Sequence, residues 1–109
     1  MKLKQLIERF NNLSVDEERT ISDEYVELVF FTKDTDQWNK VLTDILGPAL
    51  KPKGQQPTEG DLKLTEDCGG VHDNQTLFKK EVEGALVIAM FWPWLDGMFT
   101  TLKIACLKK

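Results

Sequence analysis

The stretch 84–107 constrains the chain more than any other. Ala85, Leu86, Val87, Ile88, Ala89, Met90 and Phe91 form an unbroken apolar run. Such a run is expected of a strand covered on both faces. Asp96-Gly97 follows, a pair suited to a two-residue hairpin turn because both central positions of a type I′ turn need positive φ. Residues 100–107 supply the return strand. A two-residue loop sets the register, with Phe91 opposite Leu102, Ala89 opposite Ile104 and Val87 opposite Cys106 on one face. Ile88 then lies opposite Ala105 on the other. A slip of one residue would reverse every face. Pro93 has no N–H for the ladder, so a bulge is expected over 92–94.

The other elements follow from periodicity and punctuation. Leu3, Leu6, Ile7, Phe10 and Leu13 recur at helical spacing and predict an amphipathic helix over 3–13. Ser14 and Glu17 have the spacing of a capping box, which predicts a short helical turn ending at Arg19 or Thr20. Residues 25–32 are rich in β-formers and apolar on both alternating faces, so they predict an interior strand. Trp38, Val41, Leu42, Ile45 and Leu46 form the stripe of a helix over 35–46, capped by Asp34 or Thr35 and ended by Gly47-Pro48. Residues 51–60 carry two prolines, two glycines and no large apolar side chain, and predict a flexible loop. Thr58 and Asp61 fit the start of a short helix over 59–67, although alternating Leu62 and Leu64 also suit a strand. Residues 75–82, with Lys79, Lys80 and Glu81, suit an edge strand, and Glu83-Gly84 a turn.

The expected fold is therefore α+β. It is a largely antiparallel four-stranded sheet in the element order α-β-α-β-β-β, with helices packed mainly on one face. A chain of 109 residues implies one domain. It divides into an N-terminal helical segment, 1–22, and a β-α-β-β-β body, 23–109. The position of the first strand in the sheet is left open. The order β-α-β-β-β and the strand–helix–Gly47 pattern resemble one half of a vicinal-oxygen-chelate domain. The resemblance implies topology alone. That family's metal sites use His, Gln and Glu on strands, and the single histidine here, His72, lies in no predicted strand.

Composition narrows the function classes. The net charge is −4 and the pI about 5.0, and no stripe of Lys and Arg is present, which argues against nucleic-acid binding. The acidic stretch 14–27 reads as solvated surface. No run reaches the length needed to cross a bilayer, and the N-terminus lacks the apolar core of a signal peptide. A soluble, cytoplasmic protein that engages no membrane is the expectation. Cys68 and Cys106 form no disulfide framework, and free thiols are expected, with a Cys68–Cys106 bridge left open.

Two places could carry function. The first is the hairpin end, where Trp92, Trp94, Met98 and Phe99 cluster around Pro93. One tryptophan could fill the sheet–helix interface while the other covers its edge. Alternatively, the cluster forms an exposed binding patch. The second is Cys68, His72 and Asp73, with Glu66 and Asp67 nearby. A thiolate nucleophile there is disfavoured because its acidic neighbours raise a thiol pKa. A metal would lack a fourth ligand and an established spacing. No phosphate-loop, dinucleotide, zincin or nucleophile-elbow motif is present, and no cofactor is implied. The leading expectation is a non-enzymatic binding or interaction module that forms a homo-oligomer or takes an unknown protein or small molecule. The alternative is a small-ligand or metal-dependent enzyme at the 68–73 loop.

Overall fold

A computed structural model describes residues 7–10, 13–82 and 84–107, the side chain of Asp67 excepted. The strands are β1 (Glu17–Ile21), β2 (Tyr25–Phe31), β3 (Thr76–Val82), β4 (Ala85–Pro93) and β5 (Phe99–Leu107). The α-helices are α1 (Thr35–Leu46) and α2 (Glu59–Thr65), with 3-10 turns at Glu8–Phe10, Thr32–Asp34 and Glu66–Cys68. The strands form one antiparallel sheet in the order β1-β2-β5-β4-β3. The α+β class holds, with five strands in place of four.

The hairpin register is the one its turn implies. Phe91 faces Leu102, Ala89 faces Ile104, Val87 faces Cys106 and Ile88 faces Ala105. The turn itself is longer than two residues. The Trp94 N–H bonds the Phe99 carbonyl, and the Gly97 N–H closes back on the Trp94 carbonyl. The Asp96 carboxylate accepts from the N–H groups of Met98 and Phe99, which favours the four-residue connection. The expected bulge at Pro93 is absent, since pairing runs in register through Trp92↔Thr101 and Pro93↔Thr100. Because Trp94 bonds β5, the nitrogen of Pro93 points the other way, beyond the end of β3 at Thr76, where no ladder bond is lost.

The short helix expected after Ser14 is instead the edge strand β1. Its pairing with β2 begins where the Asp16 N–H meets the Val29 carbonyl, and a bulge lies at Arg19. A single helical turn would leave most of its backbone groups unpaired, whereas β2 supplies partners. Ser22 makes the connection, its Oγ accepting from the N–H groups of Glu24 and Tyr25. The interior position expected for residues 25–32 is found, with β2 between β1 and β5. The helix expected over 3–13 lies partly outside the described residues. Within them, Glu8–Phe10 is a 3-10 turn that buries Phe10 against Trp38.

The helices lie on opposite faces of the sheet, not mainly on one. Trp38, Leu42, Ile45 and Leu46 of α1 pack on Val26, Leu28, Phe30, Phe78, Ala89, Phe91, Leu102 and Ile104. On the other face Leu64 of α2 and Cys68 pack on Val71, Leu77, Ile88, Met90 and Ala105. The unbroken apolar run of β4 explains this, because its alternate residues require cover on both sides. Thr58 and Asp61 form the capping box that starts α2.

The segment 51–60 begins with a firm anchor. Lys51 is 1% exposed and forms a backbone bridge with Leu77. Its ammonium donates to the carbonyls of Pro52, Asp73 and Gln75. Burial pulls its pKa below the ordinary lysine value, partly offset by the carboxylates of Asp73 and Asp61. No helix among the described residues is long and apolar enough to cross a membrane.

Candidate functional site at the hairpin end

Alternation along β4 sends Phe91 into the α1 face and both Trp92 and Trp94 to the opposite face. Neither therefore reaches the α1–sheet interface, which Trp38 fills by stacking on Phe30 at 4.9 Å. The two hairpin tryptophans then diverge. Trp92 lies beneath the 66–72 segment. Lys103 Nζ sits 3.7 Å from its ring centroid and donates to the Cys68 carbonyl at 3.3 Å. The His72 ring stands edge-on at 6.1 Å. Trp92 Nε1 is buried without a hydrogen-bond partner. Gly69 passes so close that a Cβ there would lie 2.8 Å from Trp92 Cη2. Trp92 is thus half-buried between the sheet and the 66–72 segment, with its Nε1 fully covered.

Trp94 belongs to a second group at the strand ends. Its Nε1 donates to Thr101 Oγ1 at 2.8 Å, and its ring lies 5.1 Å from Phe99. Phe99 in turn meets Phe31 at 5.2 Å. Three half-buried aromatics therefore cross from β4 through β5 to β2. A cation stands over each end of the row: Arg19 at 5.4 Å from Trp94 and Lys33 at 5.6 Å from Phe31. Arg19 also reaches Glu27 at 3.6 Å. Beyond the row the turn projects Leu95, fully exposed at 106%, and Met98, 60% exposed. Phe31, Lys33, Gly97 and Met98 line an open cavity of about 350 Å³ beside the turn.

Of the residues singled out by sequence, Trp94, Met98 and Phe99 share this end, and Trp92 is committed elsewhere. Sequence reasoning missed Phe31, Lys33 and Arg19. Leu95 adjoins the Trp-Pro-Trp run and was legible as part of it. Phe31 and Lys33 reach the tip because β2 pairs with β5, a placement that no local pattern states.

The residues of the 68–73 loop stand in different surroundings. Cys68 is half-buried in the second apolar cluster, and His72 is exposed beside Trp92. Asp73 is exposed and offers its carbonyl to Lys51. Neither cysteine is in a disulfide. Among the described residues no three His, Cys, Asp or Glu side chains are grouped to hold a metal ion. Nearby, the Tyr25 hydroxyl donates to Glu27 Oε1 at 2.7 Å. Burial raises the Tyr25 pKa, and the bond to Glu27 and its charge raise it further. That hydroxyl holds its proton and is a poor general base.

No protein-family model, no curated protein and no solved structure matches this chain.

Proposed function

We propose that this chain is a non-enzymatic interaction module that self-associates through the end of the β4–β5 hairpin. The observation that carries this reading is the exposure of Leu95 and Met98 on the turn beside the aromatic row of Trp94, Phe99 and Phe31. Apolar side chains gathered at one projecting point mark contact surfaces more often than ones scattered singly.

The sheet edges are poorer contacts. The β1 edge is short, bulged and lined by Glu17, Glu18 and Arg19. The β3 edge is met by Lys51 at Leu77 and carries Lys79, Lys80 and Glu81. Both patterns discourage edge-to-edge pairing. The alternative of a small-ligand or metal-dependent enzyme at Cys68, His72 and Asp73 lacks comparable support from geometry.

The association is expected to be weak. Burying Leu95 and Met98 of two copies contributes about 6–12 kcal/mol at 1.5–3 kcal/mol for each side chain. The loss of translational and rotational freedom costs about 4–15 kcal/mol. At its most favourable the difference is about 8 kcal/mol, a roughly micromolar dissociation constant, and the costlier end of the range leaves no association, so any contact through these side chains alone is weak. Light scattering over a concentration series tests this. The mass should rise above the monomer's 12.5 kDa, and Leu95→Ser with Met98→Ser should return it to the monomer. A mass that stays monomeric up to millimolar protein overturns the reading.

A further inference from the structure

We propose that two copies meet about a two-fold axis at the hairpin tip, each inserting Leu95 into the other's cavity between Phe31, Lys33, Gly97 and Met98. This inference rests on the self-association proposed above and assigns its geometry. Three observations support it.

First, the knob and the hole occur side by side on one chain. Leu95 projects fully into solvent, and the cavity beginning at Gly97 and Met98 lies two residues further along the same turn. A closed two-fold contact needs one self-complementary patch. Second, the hole suits the knob. It is an open depression lined by Phe31, Met98 and Gly97 together with Lys33, whose ammonium stands over the Phe31 ring, and about 350 Å³ is room for a leucine side chain. Third, the charges match. Lys33 brings a positive charge to the cavity lining, and Asp96 directly follows the knob. The turn holds Asp96 through Oδ1, at 2.9 Å from the Met98 nitrogen and 3.4 Å from that of Phe99. The carboxylate remains exposed. With Leu95 seated, Asp96 of each copy faces Lys33 of the other, so the contact carries two equivalent charge pairs.

Charge reversal tests the pairing. Lys33→Glu alone sets two carboxylates against each other at both contacts, and Asp96→Lys alone sets two lysines together at both. Each variant by itself should dimerise about tenfold more weakly or worse, because two exposed pairs turn from attraction to repulsion. An equimolar mixture of the two restores opposite charges and should recover parental affinity as a heterodimer in sedimentation equilibrium.

Asp96 also holds the turn, so a second measurement avoids it. In a Cys68→Ser, Cys106→Ser background, Lys33→Cys is mixed with Leu95→Cys under a mild oxidant. The mixed cross-link should dominate over either self-link. A parent that never exceeds monomer mass removes the self-association itself. A parent that dimerises, with both charge variants unaffected or with self-links as abundant as the mixed link, overturns this two-fold arrangement alone. A mass that climbs past the dimer shows open head-to-tail insertion and overturns it as well.

Discussion

Replacing Gly69 by alanine isolates the role of Trp92. Gly69 and Gly70 both have positive φ, at +95° and +78°. An alanine at either therefore adopts a left-handed backbone at a cost of about 1–2 kcal/mol. Their surroundings differ. A Cβ at Gly70 meets nothing within 4 Å, whereas one at Gly69 lies 2.8 Å from Trp92 Cη2 and 3.2 Å from Cζ2. Lys103 Nζ rests 3.7 Å from the ring centroid and 3.8 Å from that Cβ, so the indole and the lysine would both have to shift. Overpacking of this kind costs about 1–3 kcal/mol. Gly69→Ala should thus destabilise by about 2–5 kcal/mol and Gly70→Ala by about 1–2 kcal/mol. Each kcal/mol of difference should separate their melting temperatures by roughly 4–8 °C. Urea unfolding followed by far-ultraviolet circular dichroism is the assay, since tryptophan emission would report the perturbed residue itself. Trp92→Phe in the Gly69→Ala background should recover part of the loss. Equal destabilisation by the two alanines would refute the reasoning, showing that Trp92 swings clear and is not held under the loop.

Two further predictions concern buried polar groups. Lys51→Met leaves the carbonyls of Pro52, Asp73 and Gln75 without the ammonium that joins them. It should cost about 2–4 kcal/mol in urea unfolding, and a loss below about 0.5 kcal/mol would contradict the anchoring role. Tyr25 is the one tyrosine of the chain, so absorbance at 295 nm reads it directly. In the folded protein its ionisation should begin well above the ordinary value near 10, and Glu27→Gln should bring it down. The sign for stability follows. The folded state keeps a proton that the unfolded state loses, so the contribution of Tyr25 is full below pH 10 and falls as pH rises further. An ordinary folded-state titration near pH 10 would contradict this.

The elements legible in sequence were those in which local and long-range demands agree. Trp38, Leu42, Ile45 and Leu46 with Gly47 specify α1 and its buried stripe. The hairpin register followed from the position of Asp96-Gly97, even though the turn is wider than two residues. β1 was not legible, because Ser14 and Glu17 offer a local helical signal while four of the five strand residues are exposed and show no alternation. Only pairing with β2 decides it. The Ser22-Asp23-Glu24 turn between Ile21 and Tyr25 was the available clue. The face chosen by α2 was likewise hidden, since a single half-buried leucine, Leu64, directs it. The aromatic row was read in part. Trp94 and Phe99 adjoin in the hairpin, but Phe31 joins them only through the β2–β5 register.

The hairpin end is divided between Trp92, half-buried under the 66–72 segment, and the exposed residues Leu95 to Met98, which we propose meet a second copy. Amide chemical shifts recorded across a dilution series test it most directly. Concentration-dependent shifts should be confined to residues 31–34 and 94–99, with the amides of 68–72 and 92 unchanged. Spectra that do not change with concentration, or shifts centred on β1 or on the outer edge of β3, would contradict it.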